Sequence, residues 1–254
     1  MTAHACQNCG NTYTENFCNY CGQKHIHRYS VGHVAHELLH VFTHADKGIF
    51  ALALNLLKKP GLVALDLVEG RRKKHFNLFQ YLLLIVGFTT FLIVKTNFVE
   101  RMFTSMNGLN EAKMAGPVAV MQHKMALLLQ KYNNILQMVL IPVFAFFSWL
   151  YIGRKKYNYA ENIVLHTASS AQTNTIAIVT TLLILVSPSK NYFTSITLLS
   201  LLIGLWSFAL CYRQFYGLSW LKAIGWAILV YTSTYVVQVV LTAVGVVVYM
   251  LLQH

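Results

Sequence analysis

The sequence has few charged residues and very few acidic ones. Lys, Arg, Asp and Glu make up 11% of the 254 residues, and only 8 residues are Asp or Glu. A soluble domain carries roughly a quarter charged residues, whereas here 56% of residues are hydrophobic. Such a composition argues against a soluble globular protein and indicates a mainly α-helical membrane protein.

The 20 Lys and Arg outnumber the 8 Asp and Glu and give the chain a formal net charge of +12. A basic balance can indicate nucleic-acid binding, but on an apolar chain it more simply marks Lys and Arg retained at a membrane surface. We therefore expect membrane lipids as partners and do not expect nucleic acid.

Cysteine is nearly absent beyond the first 21 residues. Only Cys211 lies outside an amino-terminal group of four, which argues against an extracellular disulfide framework. The first thirty residues also lack the apolar core of a secretion signal. We therefore expect this amino-terminal segment to stay in the cytoplasm, where thiols remain reduced.

The four amino-terminal cysteines form two C-x2-C pairs. The pairs read C-Q-N-C-G and C-N-Y-C-G and contain Cys6, Cys9, Cys18 and Cys21. Two residues between thiolates allow one turn to aim both sulfurs at one ion, and four thiolates complete tetrahedral zinc. The pattern predicts a small zinc ribbon with a closed structural site, which docks either on a protein partner or on the membrane domain. A thiol redox pair is the alternative, although one C-x2-C pair would serve that chemistry.

The chain divides into three segments by composition. Residues 1–29 form the predicted zinc ribbon, residues 30–75 the predicted amphipathic interfacial helices, and residues 76–254 the transmembrane helical domain. Pro60 should end a helix within the middle segment, because proline lacks an amide donor and restricts the residue before it.

About five transmembrane helices are predicted from long apolar runs, each approaching the ~20 residues that cross a bilayer. The runs lie at 79–94, 135–152, 176–186, 196–211 and 224–252. Basic clusters precede the first run, follow the second and separate the last two. Because cytoplasmic loops retain Lys and Arg, this pattern predicts a cytoplasmic amino terminus and an external carboxyl terminus.

A histidine-rich stretch follows the predicted ribbon. It contains H-E-L-L-H, which places His36 and His40 one helical turn apart with Glu37 beside them. Glu37 is then the candidate general base of a metal-dependent hydrolase. Further candidate ligands of this second transition metal are His44, Asp46, Glu161 and His166. The alternatives are a metal site without catalysis and an interfacial helix whose histidines meet headgroups and water.

Two other polar features adjoin the predicted crossings. The basic run comprises Arg71, Arg72, Lys73 and Lys74, which either anchor the topology or bind anionic lipid headgroups. The third crossing opens with a polar stripe that includes Glu161 and His166, and the fifth carries Tyr231, Tyr235, Gln238 and Thr242. Such residues should face protein or water and not lipid. They indicate either interhelical hydrogen bonds or a cavity for a lipid or small polar molecule.

Short motifs in the first 170 residues carry a family resemblance. They are the ribbon ending C-G-Q, the stretch F-T-H-A-D-K-G at 42–48, K-P-G at 59–61, E-G-R-R at 69–72 and N-Y-A-E at 158–161. In these motifs the chain resembles the bacterial multi-pass membrane proteins grouped as domain of unknown function 3667, which carry an amino-terminal zinc ribbon. The resemblance implies a bacterial inner-membrane location and the order ribbon, interfacial helices, crossings. It implies no activity.

Three functions therefore compete at the level of sequence. The first is a scaffold or lipid-associated module of the inner membrane with a structural zinc ribbon. The second is a membrane metalloenzyme that uses His36, Glu37 and His40. The third is a transporter of a lipid or small polar substrate, which requires the stripes of the third and fifth crossings to meet around a central cavity.

Overall fold

The computed structural model describes residues 3–24, 31–32, 48–98, 127–128, 131–186 and 190–252. The described part of the chain is mainly helical, as predicted, with one two-stranded sheet at the amino end. The candidate residues His36, Glu37, His40, His44 and Asp46 lie outside the described residues. Most of the link between the first two long helices also lies outside them.

The amino-terminal residues 3–24 form a small unit that we call the cysteine module. Strands β1 (His4–Ala5) and β2 (Thr12–Tyr13) pair antiparallel, with His4 opposite Tyr13. Cys6, Tyr13 and Cys18 are its buried apolar residues. So small an apolar cluster contributes little hydrophobic stabilisation, which leaves the cysteines as the main candidates for holding the unit together.

Two short helices follow, separated by one residue. Helix α1 (Ile49–Lys58) buries Leu52 and Leu56, and helix α2 (Pro60–Val68) begins with the proline that ends α1. The sequence prediction for Pro60 is therefore confirmed. Both helices pack against the long helices: α1 contacts one of them and α2 contacts two.

Five long helices occupy the positions of the five predicted crossings. They are α3 (Leu78–Lys95), α4 (Asn133–Tyr151), α5 (Tyr159–Val186), α6 (Lys190–Tyr216) and α7 (Trp220–Leu252). Asn77 caps α3 by accepting hydrogen bonds from the amides of Phe79 and Gln80. In the described residues, three helical stretches are long and apolar enough to cross a membrane: Leu78–Lys95, Leu198–Tyr216 and Trp220–Ala243. These three stretches indicate a membrane protein.

Helix α5 lies at the centre of the bundle. It packs against α1, α2, α3, α4 and α6, whereas α7 packs against α4 and α6. A helix enclosed by other helices can carry polar residues without exposing them to lipid. This position allows α5 to be less apolar than α3, α4 and α7.

Candidate functional site

The four cysteines of the cysteine module come together as the sequence predicts. Their sulfur atoms all lie within 4.8 Å of one another, and the pairs Cys6–Cys21 and Cys9–Cys18 are each 3.6 Å apart. Sulfurs ~2.3 Å from a tetrahedral ion would stand roughly 3.8 Å apart. The cluster therefore has the size of a four-thiolate metal site and could hold a metal ion.

Matching local turns position the two cysteine pairs. The Gly10 amide donates to the Cys6 carbonyl and the Gly22 amide donates to the Cys18 carbonyl, both at 2.8 Å. Gly10 and Gly22 have φ values of +79° and +69°, a conformation that glycine adopts without steric cost. The glycine after each second cysteine thus takes the positive φ that these turns require.

The thiols of the cluster do not titrate alike. Hydrogen bonds to Cys18, first of all from the backbone amide of Cys21, outweigh burial and lower its thiol pKa to about 6. At Cys9 the hydrogen bond with the Asn11 backbone lowers the pKa, but burial and the three neighbouring sulfurs outweigh it and raise the pKa to about 12. Crowded thiolates repel one another, and a bound cation would relieve that repulsion.

The cysteine module docks on the turn at residues 69–77 between α2 and α3, which we call the elbow. The buried Gln23 amide donates to the Gly70 carbonyl at 2.6 Å and accepts from the Lys73 backbone amide at 3.2 Å. Gly70 has a φ of +90°, and a Cβ there would lie 1.7 Å from the Gln7 side-chain oxygen. The positive φ favours glycine here, and the elbow and the cysteine module are in contact through Gln23 and Gln7.

The basic run of the elbow forms a compact ion-pair network centred on Asp66. Arg71, Lys74 and His75 approach its carboxylate at 2.7, 2.6 and 3.0 Å. Burial raises the pKa of Asp66, but hydrogen bonds from Lys74, His75 and Arg71 outweigh it and lower the pKa to about 2. Arg71 also pairs with Glu69. Two of the four candidate headgroup ligands, Arg71 and Lys74, thus contact the α2 carboxylate of Asp66, and Arg71 contacts Glu69 of the elbow as well.

The other two candidate headgroup ligands, Arg72 and Lys73, contact α2 and the cysteine module. The Arg72 Nε donates to the Leu67 carbonyl at 3.3 Å, and the Lys73 backbone amide donates to Gln23. The basic run therefore positions the elbow and the cysteine module. Its binding to lipid headgroups stays a prediction.

The polar stripe of α5 is buried, as the sequence predicts. Its fully or almost fully buried members are Glu161, His166, Ser169, Gln172 and Asn174. Gln172 donates to the Leu57 carbonyl of α1 at 3.2 Å, and Asn174 donates to Gln137 of α4 at 2.6 Å. These contacts show that the stripe faces neighbouring helices.

Glu161 and His166 have separate roles in the structure. Glu161 and Asn158 form a capping box, in which each side chain accepts a hydrogen bond of 2.8 Å from the other residue's backbone amide. His166 lies further along α5 among aromatic side chains. Within the described ranges, the four cysteines are the only group of three or more candidate ligands brought together. A second metal site stays a prediction, because its other ligands lie outside those ranges.

A buried hydrogen-bond network links α4, α5 and α6 next to His166. The side-chain oxygen of Asn162 accepts from the Tyr216 hydroxyl and from the Ser148 hydroxyl, the latter at 3.1 Å. His166 Nε2 lies 2.9 Å from Ser148 Oγ and 3.3 Å from the Tyr212 hydroxyl. Of these residues, only His166 is predicted from the sequence as a candidate site residue. The spacing of Tyr212 and Tyr216 by one turn in an apolar helix was the available signal.

A cavity of about 560 Å³ lies between the five long helices. The α5 residues that line it include His166, Ser170, Thr173 and Asn174, and the α7 residues include Tyr231, Tyr235 and Gln238. The polar stripes of the third and fifth predicted crossings therefore meet around one cavity. Thr242, the last member of the α7 stripe, bonds its own helix at Gln238. The volume lies in the range of ~300–1,000 Å³ that is typical of ligand sites.

The cavity has a polar floor and an apolar mouth. His166 and Asn174 are only 2% and 4% exposed, whereas Leu201 and Tyr235 are 64% and 58% exposed. Leu201 and Tyr235 belong to two of the stretches that are apolar enough to cross a membrane. The mouth therefore opens on an apolar face of the bundle.

These features together indicate a helical membrane protein with a four-cysteine cluster suited to a metal ion and with an internal cavity. Comparisons with protein-family models, with curated proteins and with solved structures found no match for this chain. The family resemblance read from the short motifs is accordingly still a prediction.

Proposed function

We propose that this protein is an integral membrane protein that binds an amphiphilic molecule inside its helical bundle, as a lipid-associated module of the membrane. The cavity between the two polar stripes is the observation that carries the proposal. Its wall along α5 runs from His166 to Ala177, a length of roughly 16 Å at 1.5 Å per residue. An elongated molecule of one acyl chain's length fits such a space.

The gradient of polarity supports an amphiphile over a wholly polar ligand. A polar group at the buried floor would meet hydroxyl, amide and imidazole groups. An apolar tail would leave past Leu201 and Tyr235 toward the hydrocarbon of the bilayer. A lipid can reach this mouth from within the membrane and need not cross the surrounding water.

Gly204 offers a direct test, because it lines the cavity and a Cβ there would meet nothing within 4 Å. Gly204→Phe should place a phenyl ring in the cavity and obstruct a bound ligand, and its Cβ would meet no clash. Gly87→Phe is the matched control: Gly87 is exposed on α3, lies outside the cavity lining and has equal room. Extraction and mass spectrometry of lipids retained by purified protein in nanodiscs should show a ligand in wild type and in Gly87→Phe that Gly204→Phe lacks.

The opposite result would be equal retention by all three proteins. If a specific amphiphile still bound Gly204→Phe as well as it bound wild type, the cavity would not be its site. If wild type retained no molecule beyond the bulk lipid mixture, the binding function would be lost. Equal melting temperatures of the two variants would show that the comparison is between folded proteins.

The cysteine module completes the proposal. We propose that its ion is zinc in a structural role, because four protein thiolates leave no coordination position for water or substrate. We further propose that α3 to α7 make five crossings of a bacterial inner membrane, with the module on the cytoplasmic side beside the elbow. Basic residues near Lys73, Lys155 and Arg213 support this orientation.

Transport is the second candidate function, favoured by the meeting of the two stripes around one cavity. Transport requires in addition that the cavity open alternately to the two sides or the two leaflets of the membrane.

The metalloenzyme alternative depends on His36, Glu37 and His40. It stays a prediction that metal counting on the purified protein can test.

A further inference from the structure

His166 carries an unused hydrogen-bonding atom beside the cavity. Its ring lines the cavity, stacks on Phe144 at a centroid distance of 5.6 Å and is 2% exposed. Its Nε2 contacts hydroxyl groups of α4 and α6, but its Nδ1 has no hydrogen-bond partner among the described residues. A buried polar atom without a partner is costly, so this nitrogen suits a group supplied by a ligand.

The hydrogen-bond network next to His166 bears on whether its Nδ1 donates or accepts a hydrogen bond. It begins at Asn162, whose side-chain nitrogen donates to the Asn158 carbonyl at 2.8 Å. That bond orients the amide, because a carbonyl can only accept. The side-chain oxygen of Asn162 then faces Tyr216 and Ser148, and both hydroxyls donate to it.

Ser148 transmits this orientation to the imidazole. Its hydroxyl hydrogen points to a pure acceptor, either the Asn162 side-chain oxygen at 3.1 Å or the Ala145 carbonyl at 3.2 Å. With Ser148 donating to one of these acceptors, its Oγ accepts the 2.9 Å hydrogen bond from His166 Nε2, and this is the tautomer on which the inference below is built. The neutral imidazole then carries its hydrogen on Nε2 and presents a lone pair at Nδ1.

The remainder of the lining limits the charge of the ligand. Among the described residues, the cavity is lined by no Asp, Glu, Lys or Arg. Of its amides, Asn174 and Gln137 already bond each other at 2.6 Å. An ionic headgroup in this cavity would be desolvated without a counter-charge, which is strongly unfavourable.

From these contacts we propose that the cavity selects an uncharged lipid with a free hydroxyl group, which donates a hydrogen bond to His166 Nδ1. This inference rests on the proposed function and specifies the class of its ligand. It also assigns His166 as the residue that determines headgroup specificity. Fatty acids and cationic amphiphiles of equal length are excluded from the site by their charge.

The test uses two isomeric probes, dodecanol and methyl undecyl ether, which share their atoms but differ in hydrogen-bond donation. Binding of tritiated dodecanol to the full chain in nanodiscs is measured, and binding to Gly204→Phe nanodiscs is subtracted to remove partitioning into the bilayer. Competition with unlabelled compounds should show that dodecanol binds about three- to tenfold more tightly than the ether, the value of one neutral hydrogen bond. Dodecanoate should compete more weakly than either.

Two substitutions of His166 separate its two nitrogens. His166→Asn retains a polar atom close to the Nδ1 position, whereas His166→Gln retains one close to Nε2 and its contact with Ser148. The alcohol-to-ether ratio should stay above one in His166→Asn and fall to about one in His166→Gln. A purely structural residue would change both affinities together and leave the ratio unchanged.

Each outcome bears on a separate statement. Equal binding of dodecanol and its isomeric ether by wild type would overturn the inference but leave the cavity function intact. A preserved alcohol-to-ether affinity ratio in His166→Gln would have the same consequence. If wild type bound no more dodecanol than Gly204→Phe, the proposed function itself would be overturned. Because the isomer comparison on wild type needs no mutation at His166, misfolding of a variant cannot conceal the answer.

Discussion

Cys9→Ser will remove the metal ion from the purified protein and unfold the cysteine module. The cluster would retain three of its four sulfurs, and the module buries only Cys6, Tyr13 and Cys18 as an apolar core. Structural zinc sites contribute ~10–16 kcal/mol of binding free energy, most of which is folding free energy for so small a unit. The measurement is metal per chain by elemental analysis, combined with limited proteolysis of residues 3–24.

The matched control is Cys211→Ala, because Cys211 is a buried thiol of α6 outside the cluster. It should keep the full metal content and the protease resistance of the module. Wild-type protein should contain one zinc if the cluster is its only site, and two metals if the histidine-rich stretch binds a second. Full metal content in Cys9→Ser would contradict the four-thiolate site.

Gly61→Ala will destabilise the packing of α2 against α6. A Cβ at Gly61 would lie 2.4 Å from the Cys211 carbonyl oxygen and 2.7 Å from Gln214 Cβ. The Gly61 amide also donates to the Gln214 side chain at 3.0 Å, so α2 cannot move away without losing this bond. Overpacking of this kind costs roughly 1–3 kcal/mol. The thermal unfolding midpoint in detergent should fall accordingly.

Gly48→Ala provides the comparison for that experiment. A Cβ at Gly48 would make ordinary contacts with Phe76 at 3.6 Å, and the backbone there has a φ of −85° that alanine adopts readily. Its midpoint should equal or exceed that of wild type. Equal midpoints for the two variants would show that the close approach of α2 and α6 does not exist.

The local features of this protein could be predicted from sequence because they depend on neighbours along the chain. The C-x2-C spacing, the glycines after each pair and the proline between α1 and α2 all act within a few residues. Apolar runs likewise placed the five long helices. The apolar runs determine the number of membrane-crossing helices less well, because α5 is long but polar over its first half.

The contacts between distant segments could not be predicted in the same way. Ser148 and His166 meet because α4 packs on α5, and Tyr212 reaches them from 46 residues further along the chain. The charge of the basic run alone predicts topology anchoring or lipid contact, whereas in the structure Asp66 of the preceding helix pairs with Arg71 and Lys74. The ion pairs of Asp66 depend on the angle of the elbow, which no local pattern encodes.

The polar stripes were the most informative nonlocal signal. Polar side chains in an apolar helix must face protein, water or a ligand, so burial of the α5 stripe follows from composition. Their meeting around a cavity depends in addition on how α6 and α7 pack. Gly204 illustrates the difference: its lack of a side chain leaves part of the cavity open, but only the packing shows which glycine does so.

An experimental density map of the wild-type protein in a lipid nanodisc will show whether an amphiphile occupies the cavity. We expect elongated density that enters between α6 and α7 near Leu201 and Tyr235 and ends beside His166. The same map of Gly204→Phe should lack it. A bundle in which side chains close this space, or in which only the outer surface carries ordered lipid, would contradict the account.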